Sequence, residues 1–120
     1  MILQEHQEGR QKMVYTIDEI RRIVKPVAER CCLPAVYLFG SYARGTADEE
    51  SDVDLLVDTT GTSLKSLVTL GALYDDLEKA LGKRTDQITV SSLREKPQIP
   101  REQTFRNTVW NEKVRIYDAA

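Results

Sequence analysis

The sequence predicts a two-layer α/β domain in which amphipathic helices alternate with short apolar strands. Apolar residues recur at helical spacing in two long segments, 16–30 and 63–81, and short apolar runs bounded by turn residues follow each of them. Helices that alternate with strands in this way pack as a layer against a shared sheet. The length of 120 residues is enough for one such domain. We expect the domain to span 14–120, preceded by a flexible polar tail over 1–13.

Local signals define the first helix and the first two strands. Thr16 and Glu19 form a capping box at the start of the helix, and Pro26 is expected to kink it because proline has no N–H to donate. Residues 35–39 form an aromatic-rich apolar run that ends at a glycine, which is typical of a buried strand. Residues 52–57 predict a second strand of the same kind.

The second half of the chain is predicted to add two helices and two strands. The longer helix begins after Ser63, a suitable N-cap, and ends before Gly82. A third strand follows over 85–90, then a short helix over 101–110 and a last strand over 114–117. The apolar stripe of the longer helix consists of Leu67, Leu70, Leu73, Tyr74, Leu77 and Leu81, and Phe105 and Val109 are expected to face inward from the shorter one.

The composition argues against several functional classes. Seventeen basic and nineteen acidic residues give a net charge of −2, so direct nucleic-acid binding, which needs a basic surface, is not expected. The apolar runs fall short of the roughly 20 residues of a membrane span, and the first residues lack the apolar core of a signal peptide, so we expect a cytoplasmic protein. Cys31 and Cys32 are adjacent, which suits neither a disulfide framework nor a zinc site. The single histidine, His6, lies in the tail, and the P-loop, dinucleotide-binding and zinc-protease motifs are missing.

The stretch GSYARGTADEESDVDLLVD, residues 40–58, gathers six acidic residues around one short strand. Asp52 and Asp54 are two residues apart, so their carboxylates lie on the same face. Carboxylates about 6–7 Å apart repel by roughly 2–3 kcal/mol at an effective dielectric near 20 unless a cation or a shared proton neutralises them. Hard oxygen ligands favour Mg²⁺ or Mn²⁺, and two such ions can assist a displacement at phosphorus. The structural alternative is a solvated turn over 48–51, with Asp52 as its cap and Asp54 exposed at a strand edge.

A glycine and a serine at the end of the first strand predict a phosphate-binding turn. Gly40 and Ser41 are expected to lead into a short helical turn over 41–44, whose backbone N–H groups can hold phosphate oxygens. Gly40 allows the phosphates to come close, and the Ser41 hydroxyl adds a donor. A phosphate-binding turn and a metal site on neighbouring strands together indicate phosphoryl or nucleotidyl chemistry.

Gly40-Ser41, ten intervening residues and then Asp52-x-Asp54 resemble the signature of the DNA polymerase beta-like nucleotidyltransferase superfamily. The text LFGSYARGTADEESDVDLLVD resembles in particular the minimal nucleotidyltransferases (MNT) of prokaryotes, and the order of predicted elements over 16–118 agrees. The resemblance implies a small mixed β-sheet with helices packed on one face. It also implies a nucleotidyltransferase that uses ATP or another nucleoside triphosphate together with two Mg²⁺ ions.

The same resemblance implies three carboxylates at the metal site. Asp52 and Asp54 would hold the metals, and Asp86, in KRTDQITV, matches the third carboxylate of the family and would join them and act as base. The two residues that flank Asp86 are polar, whereas the family usually has apolar ones there, and a turn role for Asp86 is the alternative. Lys83 and Arg84, just before it, are expected to form a solvated helix end that the dipole favours.

The phosphate-binding residues implied by the resemblance are Gly40, Ser41 and Arg44. Gly40 and Ser41 would hold the β- and γ-phosphates. Arg44 lies on the same turn and would contact a phosphate, and an ion pair with Asp48 or Glu49 is an equal alternative. The attacking group is a hydroxyl that displaces pyrophosphate from the α-phosphate.

The acceptor of the nucleotide is expected to come with a partner. Larger members of the superfamily carry a further domain for the acceptor, and 120 residues leave no room for one. Minimal nucleotidyltransferases are similar to antitoxins that transfer AMP to a tyrosine hydroxyl of a helical HEPN-domain toxin, which is the leading hypothesis. Two alternatives stay open: a non-catalytic nucleotide-binding antitoxin or complex subunit, and a transferase for small-molecule hydroxyls whose pocket is built by a homodimer.

Overall fold

The computed structural model describes residues 14–95 and 98–120. The predicted tail over 1–13 lies outside the described residues. No helix in the described ranges is long and apolar enough to cross a membrane. Each strand and helix that the sequence predicts is present there within a few residues of its expected bounds.

Strands and helices alternate along the described chain, except that two helices follow one another before the last strand. The strands are β1 (Ala35–Phe39), β2 (Val53–Asp58), β3 (Thr85–Thr89) and β4 (Val114–Asp118). The helices are α1 (Ile17–Arg30), α2 (Gly40–Arg44), α3 (Leu67–Leu81), α4 (Val90–Leu93) and α5 (Pro100–Glu112).

The four strands form one mixed sheet in the order β3-β2-β1-β4. β1 is antiparallel to both β2 and β4, whereas β2 and β3 are parallel. Parallel neighbours need a long connection, which α3 provides. β1 and β2 are therefore central and mostly buried, while β3 and β4 form the two edges.

The start of α1 confirms the predicted capping box. The Glu19 backbone N–H donates to the Thr16 hydroxyl at 3.0 Å, and the Thr16 N–H donates to the Glu19 carboxylate at 2.8 Å. These two bonds satisfy N–H groups that would otherwise have no partner in the first turn. The helix continues through Pro26, which lies on its exposed side.

The start of α3 lies three residues later than the sequence predicts. Ser66, not Ser63, is the N-cap, and it exchanges hydrogen bonds with Thr69 at 3.1 Å in both directions. Ser63 belongs to the preceding turn, where its carbonyl accepts from the Lys65 N–H. Leu67 is consequently the first helical residue and 89% exposed, so it does not belong to the buried stripe as predicted.

The main core lies between one face of the sheet and the pair α1 and α3. Apolar residues from these two helices and from three strands meet there, which is the predicted helix-on-sheet layer. The buried members of this core are Ile20, Val24, Val27, Ala28, Leu33, Val36, Leu38, Tyr42, Val53, Leu55, Val57, Leu73, Leu77, Leu81 and Ile116.

The opposite face of the sheet is also covered in part. The predicted mixed sheet with helices on one face is present, and a smaller second cluster forms where α4 and α5 meet the other face. Val109 of α5 is buried as predicted, whereas Phe105 is 52% exposed and meets the Phe39 ring edge-on at 6.4 Å. This second cluster consists of Phe39, Leu56, Val90 and Val109. The acidic residues at the start of β2 and β3 lie outside this cluster: Asp52 and Asp54 are partly exposed, and Asp86 is exposed.

Candidate active site

The turn between β1 and α2 depends on a glycine. Gly40 has a φ of +75°, a conformation that residues with a side chain rarely adopt. A Cβ atom at this position would overlap the Oδ2 atom of Asp54. The sequence assigns Gly40 to the close approach of phosphates; the structure shows that it also makes room for the Asp54 carboxylate. Ser41 follows as the second residue of α2.

Asp54 and Asp86 are direct neighbours across the parallel strands. In the register between β2 and β3, Asp54 pairs with Asp86, and each shares its face with the residue two positions later, Leu56 or Ile88, which belongs to the second cluster or its border. Paired residues of parallel strands point to the same face, so both carboxylates belong to the face opposite the main core. Asp52 lies just before β2 and shares this side by alternation. The register of β2 and β3 therefore brings Asp86 to the face that carries Asp52 and Asp54.

Asp54 is the acidic residue of the site with a clearly shifted pKa. Burial raises the pKa of Asp54 from 3.8 to about 6, and the negative charges of Asp86 and Asp52 add to this increase. The positive charge of Arg44 opposes it, and the carboxylate of Glu112 adds to it. Asp54 is therefore a carboxylate that holds its proton unusually well and that a nearby cation would stabilise in the charged form.

The donor atoms at this face suit a divalent cation, although the side chains do not converge. In residues 14–95 and 98–120 no three acidic, cysteine or histidine side chains come together as a metal site. Asp52 instead accepts from the Nε atom of Arg84 at 3.3 Å. Three carboxylates on one face, one of them raised in pKa by burial and by its acidic neighbours, are the hard oxygen ligands that Mg²⁺ prefers. The residues therefore fit such an ion, provided that Asp52 releases Arg84 and binds the ion instead.

The turn at Gly40 is stabilised by a residue that the sequence does not predict to belong to the site. The backbone N–H of Gly40 donates to Glu112 Oε2 at 2.6 Å, and Arg44 Nη1 lies 3.1 Å from Glu112 Oε1. Arg44 therefore pairs with Glu112 rather than with Asp48 or Glu49, the partners that the sequence suggests. Glu112 lies 72 residues from Gly40 and outside any motif. Its one sequence signal is an acidic residue at a helix C-terminus, where the dipole favours cations.

The structure also shows the surroundings of the loop over 48–51 and of the two basic residues Lys83 and Arg84. Asp48, Glu49 and Glu50 are exposed, as the sequence predicts for this loop. Lys83 is 8% exposed, so the prediction of a solvated helix end is wrong for it. Its Nζ atom donates to the Glu49 carbonyl at 3.1 Å, which ties the loop to the end of α3. Arg84 is exposed, as predicted.

Comparison with known proteins relates this geometry to a family. Residues 14–116 match the nucleotidyltransferase domain family. The chain is 41% identical over 83 residues to the protein adenylyltransferase MntA of Thermococcus cleftensis, which covers 66% of this chain and 82% of that protein. It is 36% identical over 86 residues to a candidate protein adenylyltransferase of Methanocaldococcus jannaschii, which covers 71% of this chain and 98% of that one.

Solved structures have the same fold. A candidate minimal nucleotidyltransferase has a TM-score of 0.60 at 31% identity, over 83% of this chain and 95% of that one. A toxin-antitoxin structure with AMP-PNP has a TM-score of 0.62 at 22% identity, over 82% of this chain and 73% of that one. The resemblance that the sequence predicts is thus confirmed. The chain belongs to the nucleotidyltransferase domain family and is a minimal nucleotidyltransferase of the polymerase beta-like fold.

Proposed function

We propose that this nucleotidyltransferase transfers AMP from ATP, with Mg²⁺, to a tyrosine hydroxyl of a cognate HEPN-domain toxin, and so acts as the antitoxin. Two relatives support the donor and the class of acceptor: one is named a protein adenylyltransferase, and one structure of this fold is a toxin-antitoxin with AMP-PNP. The observation that carries the proposal is the in-register pairing of Asp54 with Asp86 beside the Gly40 turn. The proposal implies a cytoplasmic protein, since ATP is the donor.

The proposed reaction is a displacement at the α-phosphorus of ATP. The acceptor oxygen forms a bond to this phosphorus, the bond to the oxygen that bridges to the β-phosphate breaks, and pyrophosphate leaves. Asp86 takes the proton of the hydroxyl. Gly40 and Ser41 hold the β- and γ-phosphates through N–H groups and a hydroxyl, and Arg44 adds a guanidinium. The residues thus contribute position and charge.

Asp52, Asp54 and Asp86 are the residues that would hold Mg²⁺. Two ions, when bound, would neutralise the charge of the triphosphate and of the leaving pyrophosphate. Support comes from the raised pKa of Asp54, which reflects burial and the repulsion of Asp86 and Asp52. Titration calorimetry with Mg²⁺ alone tests this assignment without any reaction. The wild-type protein should give a binding isotherm, and Asp54→Asn should lose it.

The transfer itself is tested with the product of the neighbouring gene. Incubation of both purified proteins with ATP and Mg²⁺ should add the mass of AMP to the partner, and peptide mass spectrometry should locate it on a tyrosine. Absence of the adduct would contradict the proposal. An adduct on serine or threonine would correct the acceptor.

Two aspartates on β2 provide a matched pair of variants. Asp54→Asn should abolish the adduct, whereas Asp58→Asn should retain it, because Asp58 lies on the same strand and face but at the other end of β2. Growth protection against the toxin should follow the same pattern. Protection that survives Asp54→Asn would instead favour a non-catalytic antitoxin that masks its partner.

A further inference from the structure

The carboxylate of Glu112 occupies donors that the proposed reaction needs for phosphate. Its Oε2 atom accepts from the Gly40 N–H at 2.6 Å, and its Oε1 atom lies 3.1 Å from Arg44 Nη1. The Glu112 side chain is only 18% exposed, whereas that of Arg44 is 52% exposed. The buried partner of this ion pair is thus the acid, held against the turn by both contacts.

The helix that carries Glu112 gives no reason for an acid at this position. Glu112 is the last residue of α5, where the dipole disfavours negative charge. Asp18 and Glu19, by contrast, lie in the first turn of α1, where the dipole favours negative charge. The contact with Gly40 and Arg44 therefore stabilises Glu112, rather than the position in the helix.

A phosphate and Glu112 cannot use these donors at the same time. A backbone N–H has one hydrogen, so the Gly40 group donates to the carboxylate or to a phosphate oxygen. The guanidinium of Arg44 has several donors, but the negative charge of Glu112 offsets its attraction for a second anion. Both contacts are made by the Glu112 carboxylate. Rotation of this side chain would therefore release both donors without a movement of the α5 backbone.

We infer that Glu112 is an internal anion that competes with the triphosphate for Gly40 and Arg44, and so lowers the affinity of the protein for nucleotide. This inference rests on the proposed function. It adds a regulatory contact to that site: nucleotide must displace Glu112, and a partner that draws the Glu112 side chain away would increase nucleotide affinity by the same linkage.

Nucleotide binding to variants of Glu112 tests the inference. If the contact is closed in about nine-tenths of the molecules, the dissociation constant for ATP is about tenfold above that of the open form. Glu112→Ala should therefore bind ATP, and inorganic triphosphate, about tenfold more tightly by titration calorimetry. Glu112→Gln should show a smaller gain, because a neutral amide oxygen still accepts from the Gly40 N–H.

Glu102→Gln is the matched control. Glu102 lies in the first turn of α5 and accepts from the Gln98 N–H at 2.6 Å, away from the Gly40 turn. The dissociation constant of Glu102→Gln for ATP should equal that of the wild type. Circular dichroism and melting curves check the fold of each variant, and Glu112→Gln serves if Glu112→Ala fails to fold.

The outcomes separate this inference from the proposed function. Unchanged or weaker ATP binding by the folded Glu112 variants, with clear binding by the wild type, would overturn the inference and make Glu112 a support of the phosphate-binding turn. Absence of ATP binding in every protein, the wild type included, would contradict the nucleotide-binding function itself.

Discussion

The two faces of β2 show how one short strand serves two different purposes. Val53, Leu55 and Val57 are fully buried against the main core. Asp54 and Leu56 alternate with them and point the other way, one to the acidic site and one to the small second cluster. The first face therefore stabilises the fold, while the second holds a half-buried carboxylate that its surroundings disfavour. Variants of the buried apolar residues and variants of this carboxylate should accordingly differ in sign as well as in size.

The largest effect is expected for the main core. Leu55→Ala should lower the free energy of unfolding by about 3–4 kcal/mol, because a cavity forms among residues that cannot collapse into it. Leu56→Ala should cost about 2 kcal/mol, since its cluster is smaller and lies beside the open site. Urea denaturation of both variants measures the difference. Equal losses would mean that the two clusters are equally rigid, and the comparison would fail.

The next largest effect is expected for Gly40→Ala, which should lower both the stability of the fold and the activity. The positive φ and the overlap with Asp54 should lower the free energy of unfolding by about 1–3 kcal/mol and abolish nucleotide transfer. Gly45→Ala is the control, because Gly45 has a φ of +80° but no atom near its missing Cβ. The loss in Gly40→Ala beyond that in Gly45→Ala measures the contact with Asp54. Retained transfer in Gly40→Ala would contradict this contact.

Asp54→Asn should increase stability while it abolishes the reaction. The neutral amide removes both the burial of a charge and the repulsion from Asp86 and Asp52. We expect the melting temperature to rise by about 3 °C, as for a gain below about 1 kcal/mol in a domain of this size. Asp58→Asn should leave the melting temperature unchanged. A lower melting temperature for Asp54→Asn would show that the charge is stabilised by its surroundings.

The smallest effect concerns pH. The pKa of Asp54 rises from 3.8 to about 6 on folding, so the folded protein binds more protons between about pH 4 and 6. Its stability therefore falls as the pH rises through this window, and the loss is complete above it. The melting temperature gained by Asp54→Asn over the wild type should be larger at pH 7.5 than at pH 4.5. A gain that does not depend on pH would exclude the charge of Asp54 as its cause.

Sequence patterns are sufficient for the strands and the longer helices, but not for their ends or for the four-residue helix α4, which the sequence does not predict. The capping box of Thr16 and Glu19 is found as predicted, because both partners lie within one turn. The N-cap of α3 is Ser66 rather than Ser63, because either serine suits the role and the preceding turn decides between them. Local patterns identify a suitable residue but cannot choose between two when tertiary packing makes the choice.

In the site, too, residues close together in the sequence are predicted, whereas contacts between distant residues are not. Asp52, Asp54 and Gly40 are predicted from spacing, and the pairing of Asp54 with Asp86 follows once β2 and β3 are parallel neighbours. Glu112 is not predicted, since its contact with Gly40 joins the end of α5 to a turn 72 residues away. Lys83 is likewise buried by a loop that folds over it, which a helix-end pattern cannot reveal.

The position of β3 in the sheet has a consequence for how the protein loses activity on heating. β3 carries Asp86, lies at the edge of the sheet, pairs with β2 alone and has no fully buried residue. Segments of this kind open locally at a lower free energy than the central strands of a domain. Opening of β3 separates Asp86 from Asp54 while β1, β2 and the main core stay intact. Heat should therefore inactivate the enzyme before it unfolds the protein, and amide exchange in β3 should precede exchange in β1.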